Sequence, residues 1–477
     1  MNRRRPSGGR RRRRQLQDCL TPFLFQQTPG SSMHVLVTGT SLFFSRVLIQ
    51  GFAKHGAEVT AADNCRISTG KLSRFTSRRL RTPSVSHDPD GYIDVLLEEL
   101  QRRKYDLVVP SFEEAMLLSQ HRHRIEQFSR LLLSDHKTMM RLHHKPSLYE
   151  LCDQIGVPAP ASIVPGTLSD LEQVIDAIRY PVILKLPMGN NSLGQVYANN
   201  GTELRHRYQE LCRSADRWGT ERPLVQEVVR GKAIYTLMYC CSGKKLGEII
   251  YRPLRTYPAK AGTSAHRQTI EHAEIEMITR SIAREVNWTG FLGFDFLEDE
   301  ETGEVSLIDA NPRPNPGLTL GVLSGIDWAG LQLGVLARRV PASTITTAGV
   351  RDRSWMLDFA WLFDDSKWDR GWGGRFLGRL RELNQMRPLL TSWKGKIESD
   401  WSADLGLWYQ ILQSLWKSRA TGESMGYCLL QDSNYSPEKA VVPASQVHLR
   451  RGQPMTPVAI GVAAQDGVSA RERRDAA

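Results

Sequence analysis

The chain has 477 residues, of which 40% are hydrophobic and 24% charged, so it is long enough for two to four domains with sizeable cores. The formal net charge of +12 is mostly local, because residues 1–14 contain eight arginines and no acid, without which the charge is +4. No run of 18 apolar residues occurs, so no transmembrane segment is predicted. The seven cysteines are scattered and contain no CxxC pair, which argues against disulfide and zinc sites and predicts a cytoplasmic protein.

The first 32 residues differ in composition from the rest of the chain. They are rich in Arg, Ser, Gly, Pro and Gln, which predicts a disordered basic tail. Such an arginine run can contact nucleic acid or anionic lipid. A strand pattern begins directly after Met33, so we instead interpret residues 1–32 as an upstream extension of the reading frame and expect no nucleic-acid partner.

Residues 33–136 show the pattern of a small α/β domain. Strands that alternate with helices predict a parallel sheet. The predicted order is strand 34–38, helix 45–55, strand 58–62, helix 92–103 and strand 106–110. The turn after the first strand lacks the GxGxxG pattern, so dinucleotide binding is not favoured. Glu113 is either a substrate contact or an acid at a helix N-terminus.

Two lysines in the next segment are candidates for binding an anion. Lys145 precedes an amphipathic helix over 147–155, and Lys185 lies within the apolar strand 180–187. A lysine in an apolar strand is costly unless it meets an anion, the alternative being that each lysine reaches solvent. Small residues in the loop after Lys185 let backbone N–H groups approach phosphates. The candidates in this loop are Gly189, Ser192 and Gly194.

Three further strand patterns follow. Residues 224–229 are apolar except for Gln226 and Glu227, and residues 234–241 and 246–251 alternate as an antiparallel pair. Arg252 and Arg255 then open a basic stretch that we interpret as a loop. It either binds a phosphate or carboxylate group, or is solvated.

Residues 290–317 predict a β-hairpin that carries metal ligands. Each strand contains one acid, Asp295 and Asp309, and a turn near Thr302 would place these two residues opposite each other. Asn311 lies two residues further on and points to the same face. Two carboxylates and an amide oxygen suit Mg²⁺, whereas the alternative is a surface hairpin with solvated acids.

These motifs occur in an order that resembles the ATP-grasp superfamily, with a clamp of the biotin carboxylase and carbamoyl-phosphate synthase type. The resemblance rests on Lys145, Lys185, the glycine loop, the strand at 224–229, Asp295 and the segment Asp309-Ala310-Asn311-Pro312-Arg313, and it covers about residues 33–340. Two departures are visible. Asp309 stands where the family usually has Glu, and no acid follows Gly231 to hold the ribose.

The resemblance implies a role for each candidate residue. Asp295, Asp309 and Asn311 would hold Mg²⁺, and Mn²⁺ is an alternative ion for the same ligands. Arg313, Arg252 and Arg255 would be catalytic. ATP would be bound by Lys145, Lys185, Gly189, Ser192, Gly194, Gln226, Glu227, Val228 and Val229.

The implied fold is α/β and α+β. It comprises an N-terminal parallel α/β domain (33–136), a two-part ATP-grasp domain (137–345), a Trp-rich and mainly helical extension (346–435) and a disordered tail (436–477). The implied function is that of a ligase that activates a small, amino-acid-like carboxylate as an acyl phosphate and joins it to an amine or a similar nucleophile. A small-molecule kinase and an ATP-binding protein without turnover remain open alternatives.

Eight of the eleven tryptophans lie between residues 355 and 416. Helical patterns at 354–363 and 405–416 predict a helical appendage with Trp in its core. The alternative is an amphipathic surface that contacts a protein or a membrane. A homodimer is also left open by the sequence, as are the identities of the carboxylate and the nucleophile.

Overall fold

A computed structural model describes residues 32–188, 195–218, 221–257, 263–339, 346–354, 357–358, 361, 377–379, 397–421 and 428. The described residues form two compact units. The second unit consists of Pro160–Pro187 and residues 195–228, and the first contains the remaining residues. Gly189, Ser192 and Gly194, the tails 1–31 and 429–477, and much of the Trp-rich segment lie outside the described residues.

The described strands are β1 (His34–Val37), β2 (Glu58–Asp63), β3 (Arg78–Arg81), β4 (Leu107–Val109), β5 (Arg130–Leu131), β6 (Ser162–Ile163), β7 (Val182–Lys185), β8 (Val196–Ala198), β9 (Leu224–Glu227), β10 (Lys232–Cys241), β11 (Lys244–Tyr257), β12 (Thr263–Thr269), β13 (Gly290–Glu298), β14 (Val305–Asn311) and β15 (Arg351–Arg353).

The described helices are α1 (Arg46–Lys54), α2 (Thr69–Leu72), α3 (Pro89–Arg102), α4 (Glu114–Gln120), α5 (Arg122–Ile125), α6 (His136–His143), α7 (Lys145–Ile155), α8 (Leu168–Val174), α9 (Gly201–Trp218), α10 (Ala273–Glu285), α11 (Gly317–Ser324), α12 (Trp328–Leu336) and α13 (Trp401–Thr421).

A parallel sheet forms the N-terminal part of the first unit, in the strand order β3-β2-β1-β4-β5. The predicted strands and helices of this region are confirmed to within a few residues. The central strands β1 and β4 are buried along most of their length, as expected for apolar runs in a parallel sheet. The edge strand β3, with the sequence RRLR, was not predicted because its residues are mostly exposed and carry no apolar pattern.

An antiparallel sheet of six strands forms the second layer of this unit, in the order β14-β13-β10-β11-β12-β15. Its β11 extends to Tyr257, so Arg252 and Arg255 lie in a strand and not in the predicted loop. Helices α1, α11 and α12 contribute to one core together with residues of both sheets of the unit. Within the described chain no single helix could cross a membrane, although α11 and α12, which meet at an 88° bend, reach the necessary length and composition together.

The second unit contains a smaller antiparallel sheet, in the order β6-β9-β7-β8. Helices α8 and α9 supply apolar side chains to its core, including Leu171, Leu204 and Tyr208. A capping box between Thr167 and Asp170 starts α8, because each side chain accepts a backbone N–H of the other residue. This unit therefore has a core of its own around β7 and β9.

The C-terminal region combines a short strand and a long helix. Strand β15 pairs with β12 at the edge of the six-stranded sheet. Helix α13 spans 21 residues and packs on α2 through its buried residues, among them Ala403, Leu407 and Ile411. The predicted helical character of this region is confirmed for α13.

Candidate active site

Two carboxylates face each other across the hairpin formed by β13 and β14. Asp295 is the ladder partner of Asp309, as the sequence predicted, and Asn311 is the partner of Gly293 on the same side. The amide of Asn311 donates a hydrogen bond to Asp295 over 3.3 Å. The three polar side chains therefore lie together on one face of the sheet.

A β-bulge produces this pairing. Phe296 pairs with Leu307, whereas its neighbour Asp295 pairs with Asp309, so Ile308 is an extra residue in β14. In a regular strand Leu307 and Asp309 would point to the same face. The bulge turns Asp309 away from the face on which Leu307 is fully buried, and thereby keeps the carboxylate out of the core.

Lys145 reaches the same carboxylate from helix α7. Its Nζ lies 3.3 Å from Oδ1 of Asp309, and only 3% of the Lys145 side chain is exposed. The side chain of His144 caps the helix by accepting the N–H of Ser147. Tyr149, one turn further on, donates a hydrogen bond to the carbonyl of Ile308. Helix α7 is thus fixed to the bulge, which positions Lys145 next to Asp309.

Arg313, which follows Asn311 by two positions, forms a second buried ion pair. Its Nε lies 3.3 Å from Glu113, whose side chain is fully buried, and its guanidinium stacks 4.1 Å from the ring centre of Phe112. Sequence reasoning named both charged residues but not their pairing, because Glu113 precedes Arg313 by 200 positions. A buried ion pair with an aromatic platform holds Arg313 in one orientation.

The charged groups around His143 change its ionisation. His143 is buried at the end of α6, and its Nδ1 has no hydrogen-bond partner among the described residues. Burial, followed by the positive charges of Lys145 and Arg313, lowers the pKa of His143 to about 3. The imidazole is therefore neutral at physiological pH and adds no charge beside the two cations.

A buried carboxyl lies at the ends of the parallel strands β1 and β4. Glu114 accepts hydrogen bonds from Thr38, from the backbone of Ser111 and from that of Phe112. Burial raises the pKa of Glu114, and these donors act against that rise. Gly39 adopts φ of +63° in this turn, where an added Cβ would come within 2.5 Å of the Glu114 carboxylate. The turn is therefore built around Glu114.

Arg252 and Arg255, which both lie in β11, are each paired with a carboxylate. Arg252 pairs with Glu298, which His272 also contacts over 3.2 Å. Arg255 pairs with Asp358 and stacks 4.5 Å from the ring centre of Trp361. These partners come from strands and from the C-terminal region, and the catalytic role of the two arginines stays a prediction.

The nucleotide candidates of the second unit lie on neighbouring strands. Lys185 is buried at the end of β7 and pairs with Leu224 of β9. Gln226 donates a hydrogen bond to Ser162, and Glu227 makes two hydrogen bonds with the backbone of Ala161. The predicted hinge residues Gln226 and Glu227 thus lie on an inner strand of the small sheet, and Glu227 is at the opposite end of the β7–β9 ladder from Lys185. Val228 and Val229 follow β9 outside any strand.

The donor set on the hairpin fits a hard divalent cation. Asp295 and Asp309 offer carboxylate oxygens, and Asn311 offers an amide oxygen once its side chain is turned. No cluster of three His, Cys, Asp or Glu side chains with metal-binding geometry occurs among the described residues. The set contains only two carboxylates, so it suits an ion that takes its remaining ligands from water or phosphate.

Two curated proteins are similar in sequence to part of this chain. No family model matches the chain. The formate-dependent phosphoribosylglycinamide formyltransferase of Bacteroides fragilis is 20% identical over 229 residues, which are 46% of this chain and 58% of that protein. The D-aspartate ligase of Enterococcus faecium is 22% identical over 274 residues, which are 52% of this chain and 63% of that protein. The chain thus spans about three fifths of the length of each of these relatives.

A solved structure extends the comparison to the architecture. The biotin carboxylase domain of the Hydrogenobacter thermophilus 2-oxoglutarate carboxylase, solved with MgADP and bicarbonate, superimposes with a TM-score of 0.54 at 17% identity. The superposition covers 67% of this chain and 73% of that one. By this similarity the chain has the ATP-grasp fold predicted from the sequence, which contains a parallel sheet, a six-stranded antiparallel sheet with an acidic hairpin and a small four-stranded sheet.

Proposed function

We propose that the chain is an ATP-dependent ligase that activates a small carboxylate as an acyl phosphate and joins it to an amine. The observation that carries this proposal is the pairing of Asp295 with Asp309, with Lys145 at 3.3 Å from Asp309. This combination of acids and a buried cation suits a metal-bound triphosphate. The relatives include a D-aspartate ligase, whose name describes this class of reaction.

The hairpin would hold the metal ion. Asp295, Asp309 and Asn311 supply its oxygen ligands, and Mg²⁺, when bound there, neutralises charge on the triphosphate. Lys145 orients Asp309 through their ion pair, and its Nζ would contact a phosphate oxygen of the bound nucleotide. Because Lys145 is buried, its charge acts more strongly than it would in water.

We propose that the nucleotide binds to residues that the sequence identified as candidates. Lys185 would contact a phosphate, and the backbone of Gln226, Glu227, Val228 and Val229 would bind the adenine. The burial of Lys185 supports this role, because a buried cation is stabilised by an anionic ligand. Gly189, Ser192 and Gly194 complete the proposed set.

The substrate carboxylate would be bound by Arg313. Stacking on Phe112 and pairing with Glu113 fix the guanidinium plane, which favours two-point binding of a carboxylate. A carboxylate oxygen then attacks the γ-phosphorus, and the bond to the β-phosphate oxygen breaks to release ADP. The amine attacks the acyl carbon, loses a proton to solvent, and displaces inorganic phosphate. The protein contributes positioning and charge.

Trapping the activated carboxylate tests the proposal. The purified chain is incubated with Mg-ATP, a pool of amino acids and other small carboxylates, and hydroxylamine, and both ADP and hydroxamate are measured. Release of ADP together with a hydroxamate is the expected result. ADP without hydroxamate would favour a kinase, and ATP binding without ADP release would favour a protein that binds nucleotide without turnover.

Two variants connect the activity to the hairpin. Asp309→Asn should lower ADP release by about 100-fold or more, because the amide cannot neutralise the metal charge. Glu304→Gln, the same chemical change at an exposed position of the same hairpin, is the control. Wild-type turnover in Asp309→Asn would remove the assignment of the metal site.

The reaction also bears on partners and location. A ligase of this class needs only small-molecule substrates and ATP, which supports a cytoplasmic site of action.

The domain boundaries at residues 32, 136, 345 and 435, which were predicted from the sequence, remain part of this proposal. Asp358 and β15 pair with β11 and β12 from beyond position 345, so the extension adds to the sheet.

A further inference from the structure

Helix α13 exposes a continuous apolar stripe. Six large side chains are between 39% and 72% exposed, namely Trp401, Leu405, Trp408, Tyr409, Leu412 and Trp416. At about 100° per residue they fall within a sector about 100° wide on the helix surface. From Trp401 to Trp416 the only other exposed residue is Gln413. Two polar side chains, those of Gln413 and of Asp404, the latter 40% exposed, lie on either side of the stripe.

The opposite face of α13 packs against the rest of the first unit. Gln410 accepts the N–H of Thr69 over 3.1 Å, and the carbonyl of Ala403 accepts the hydroxyl of Thr69 over 3.0 Å. Asp404 pairs with Arg46 over 2.6 Å. Since α13 is anchored by these contacts, the apolar stripe is a fixed surface of the folded protein.

The order of the side chains in the stripe is symmetric about the midpoint between Trp408 and Tyr409. Trp401 and Trp416 are equally distant from this midpoint, and so are Leu405 and Leu412. A two-fold axis through the midpoint would run a second α13 antiparallel to the first and pair each side chain with its chemical counterpart. Trp would meet Trp, Leu would meet Leu, and Trp408 would meet Tyr409. Isologous interfaces require this self-complementarity.

The area of the stripe matches that of a protein interface. The exposed parts of the six side chains amount to roughly 700 Å², since a large aromatic side chain can bury 150–250 Å². A standard interface buries about 800 Å² on each partner. The stripe alone therefore supplies most of the area that each copy buries in a standard interface.

An antiparallel arrangement brings residues of opposite charge from the two helix ends to the same distance from the axis. Arg419 is exposed near the C-terminus of α13. Glu398, which precedes the N-terminus, has 47% of its side chain exposed and pairs with Lys54 and Arg74 of its own chain. In the antiparallel pair, Arg419 of one copy and Glu398 of the other are equally distant from the axis. A parallel pair would instead place like charges together.

We propose that the chain forms a two-fold symmetric dimer through antiparallel packing of two α13 helices. The occupant of the apolar stripe is thus a second copy of the same surface. This inference does not depend on the proposed reaction, because it uses only residues of α13 and its flanks.

Charge substitutions at the two leucines test the register. Leu405→Glu and Leu412→Lys should each raise the dimer dissociation constant by about 100-fold or more, because each buries unpaired charges at the interface. The double variant Leu405→Glu/Leu412→Lys should restore the dimer, because each introduced carboxylate faces an introduced ammonium group of the second copy. Sedimentation velocity of the full-length chain at several micromolar concentrations measures the dimer fraction.

A matched variant separates register from charge alone. Leu405→Glu/Tyr409→Lys carries the same charges, but its two substituted positions do not face each other across the axis, so this variant should remain monomeric. Far-ultraviolet circular dichroism and thermal melting establish that each variant is folded.

Three results would overturn the proposal. They are a monomeric wild-type chain, single variants that remain dimeric, and a double variant that is no more dimeric than its matched control. Sedimentation with vesicles of phosphatidylcholine and phosphatidylglycerol completes the test. A monomeric wild type that binds these vesicles, and loses this binding with Leu405→Glu, would assign the stripe to a lipid surface instead.

Discussion

Asp309 shows how one residue serves both the fold and the candidate site. A carboxylate within an apolar strand is costly unless it has a partner, and here the bulge at Ile308 turns it to the polar face while Lys145 approaches it. The neutral His143 beside Lys145 and Arg313 avoids a third positive charge in a buried place. Lys145 and Arg313 thus carry positive charge in this region, whereas His143 carries none.

The ionisation of His143 predicts an acid-sensitive stability. Its pKa is about 3 in the folded chain and about 6.5 when unfolded, so the unfolded chain binds the additional proton between these pH values. The stabilisation is complete above pH of about 6.5 and is lost as the pH falls, by about 1.4 kcal/mol per pH unit. Urea unfolding at pH 7 and pH 5 measures this loss.

The variant His143→Gln separates this contribution from the rest of the chain. It should lose less stability between the two pH values than the wild type does, because the titrating group is absent. His123→Gln, which removes an exposed histidine, is the comparison. Equal pH dependence in His143→Gln and the wild type would show that His143 is not the acid-sensitive group.

Among the elements, the hairpin shows what could be predicted from the sequence. The pairing of Asp295 with Asp309 was predicted from a turn near Thr302 and is confirmed. The ladder nearest the turn is shifted by one residue from the assumed register, and the bulge at Ile308 restores the predicted pairing. A bulge depends on packing around both strands, and no local sequence signal identified this one.

Long-range pairs show why part of the site could not be predicted. Arg255 is charged and follows an apolar strand, so its segment was predicted as a loop. The strand instead continues through Arg255 by pairing with β12, and Asp358 and Trp361 contact the Arg255 side chain. Glu113 and Arg313 meet only after the two sheets of the unit have packed. Sequence patterns indicate local periodicity and residue type, whereas these contacts depend on the tertiary arrangement.

Gly406 tests how closely α13 approaches α2. A Cβ at this position would lie 2.7 Å from the carbonyl oxygen of Ser68, a backbone atom that cannot move alone. Gly406→Ala gains up to about 1 kcal/mol in helix propensity but costs about 1–3 kcal/mol through overpacking, so the variant should melt at a lower temperature. Gln413→Ala, on the exposed side, is the control. A higher melting temperature for Gly406→Ala would contradict the close approach.

At the scale of the whole molecule, the C-terminal region completes the first unit. Asp352 of β15 pairs with Arg267 of β12, and both side chains are only 1% exposed. Removal of one partner of a buried ion pair leaves an uncompensated charge, at a cost of about 3–5 kcal/mol. The region that the sequence predicted as an appendage therefore supplies part of the sheet.

Two truncations distinguish the contributions of the C-terminal segments. Deletion of residues 346–477 removes β15 and α13, and should lower the melting temperature sharply or prevent recovery of folded protein. Deletion of residues 436–477, the predicted disordered tail, should leave the melting temperature unchanged. Thermal melting of the purified chains decides between these outcomes. A stable product of the longer deletion would show that β15 and α13 are dispensable for folding.

The contacts between α2 and α13 join residues that are far apart in the order of synthesis. Thr69 donates to Gln410, 341 positions later, and Ser73 donates to Asp400 over 2.5 Å. At 5–20 residues per second a ribosome needs roughly 20–70 s to cover this distance. During that interval helix α2 of the nascent chain lacks the helix that packs on it in the folded protein. The first unit therefore cannot be completed until the segment that contains α13 has left the ribosome.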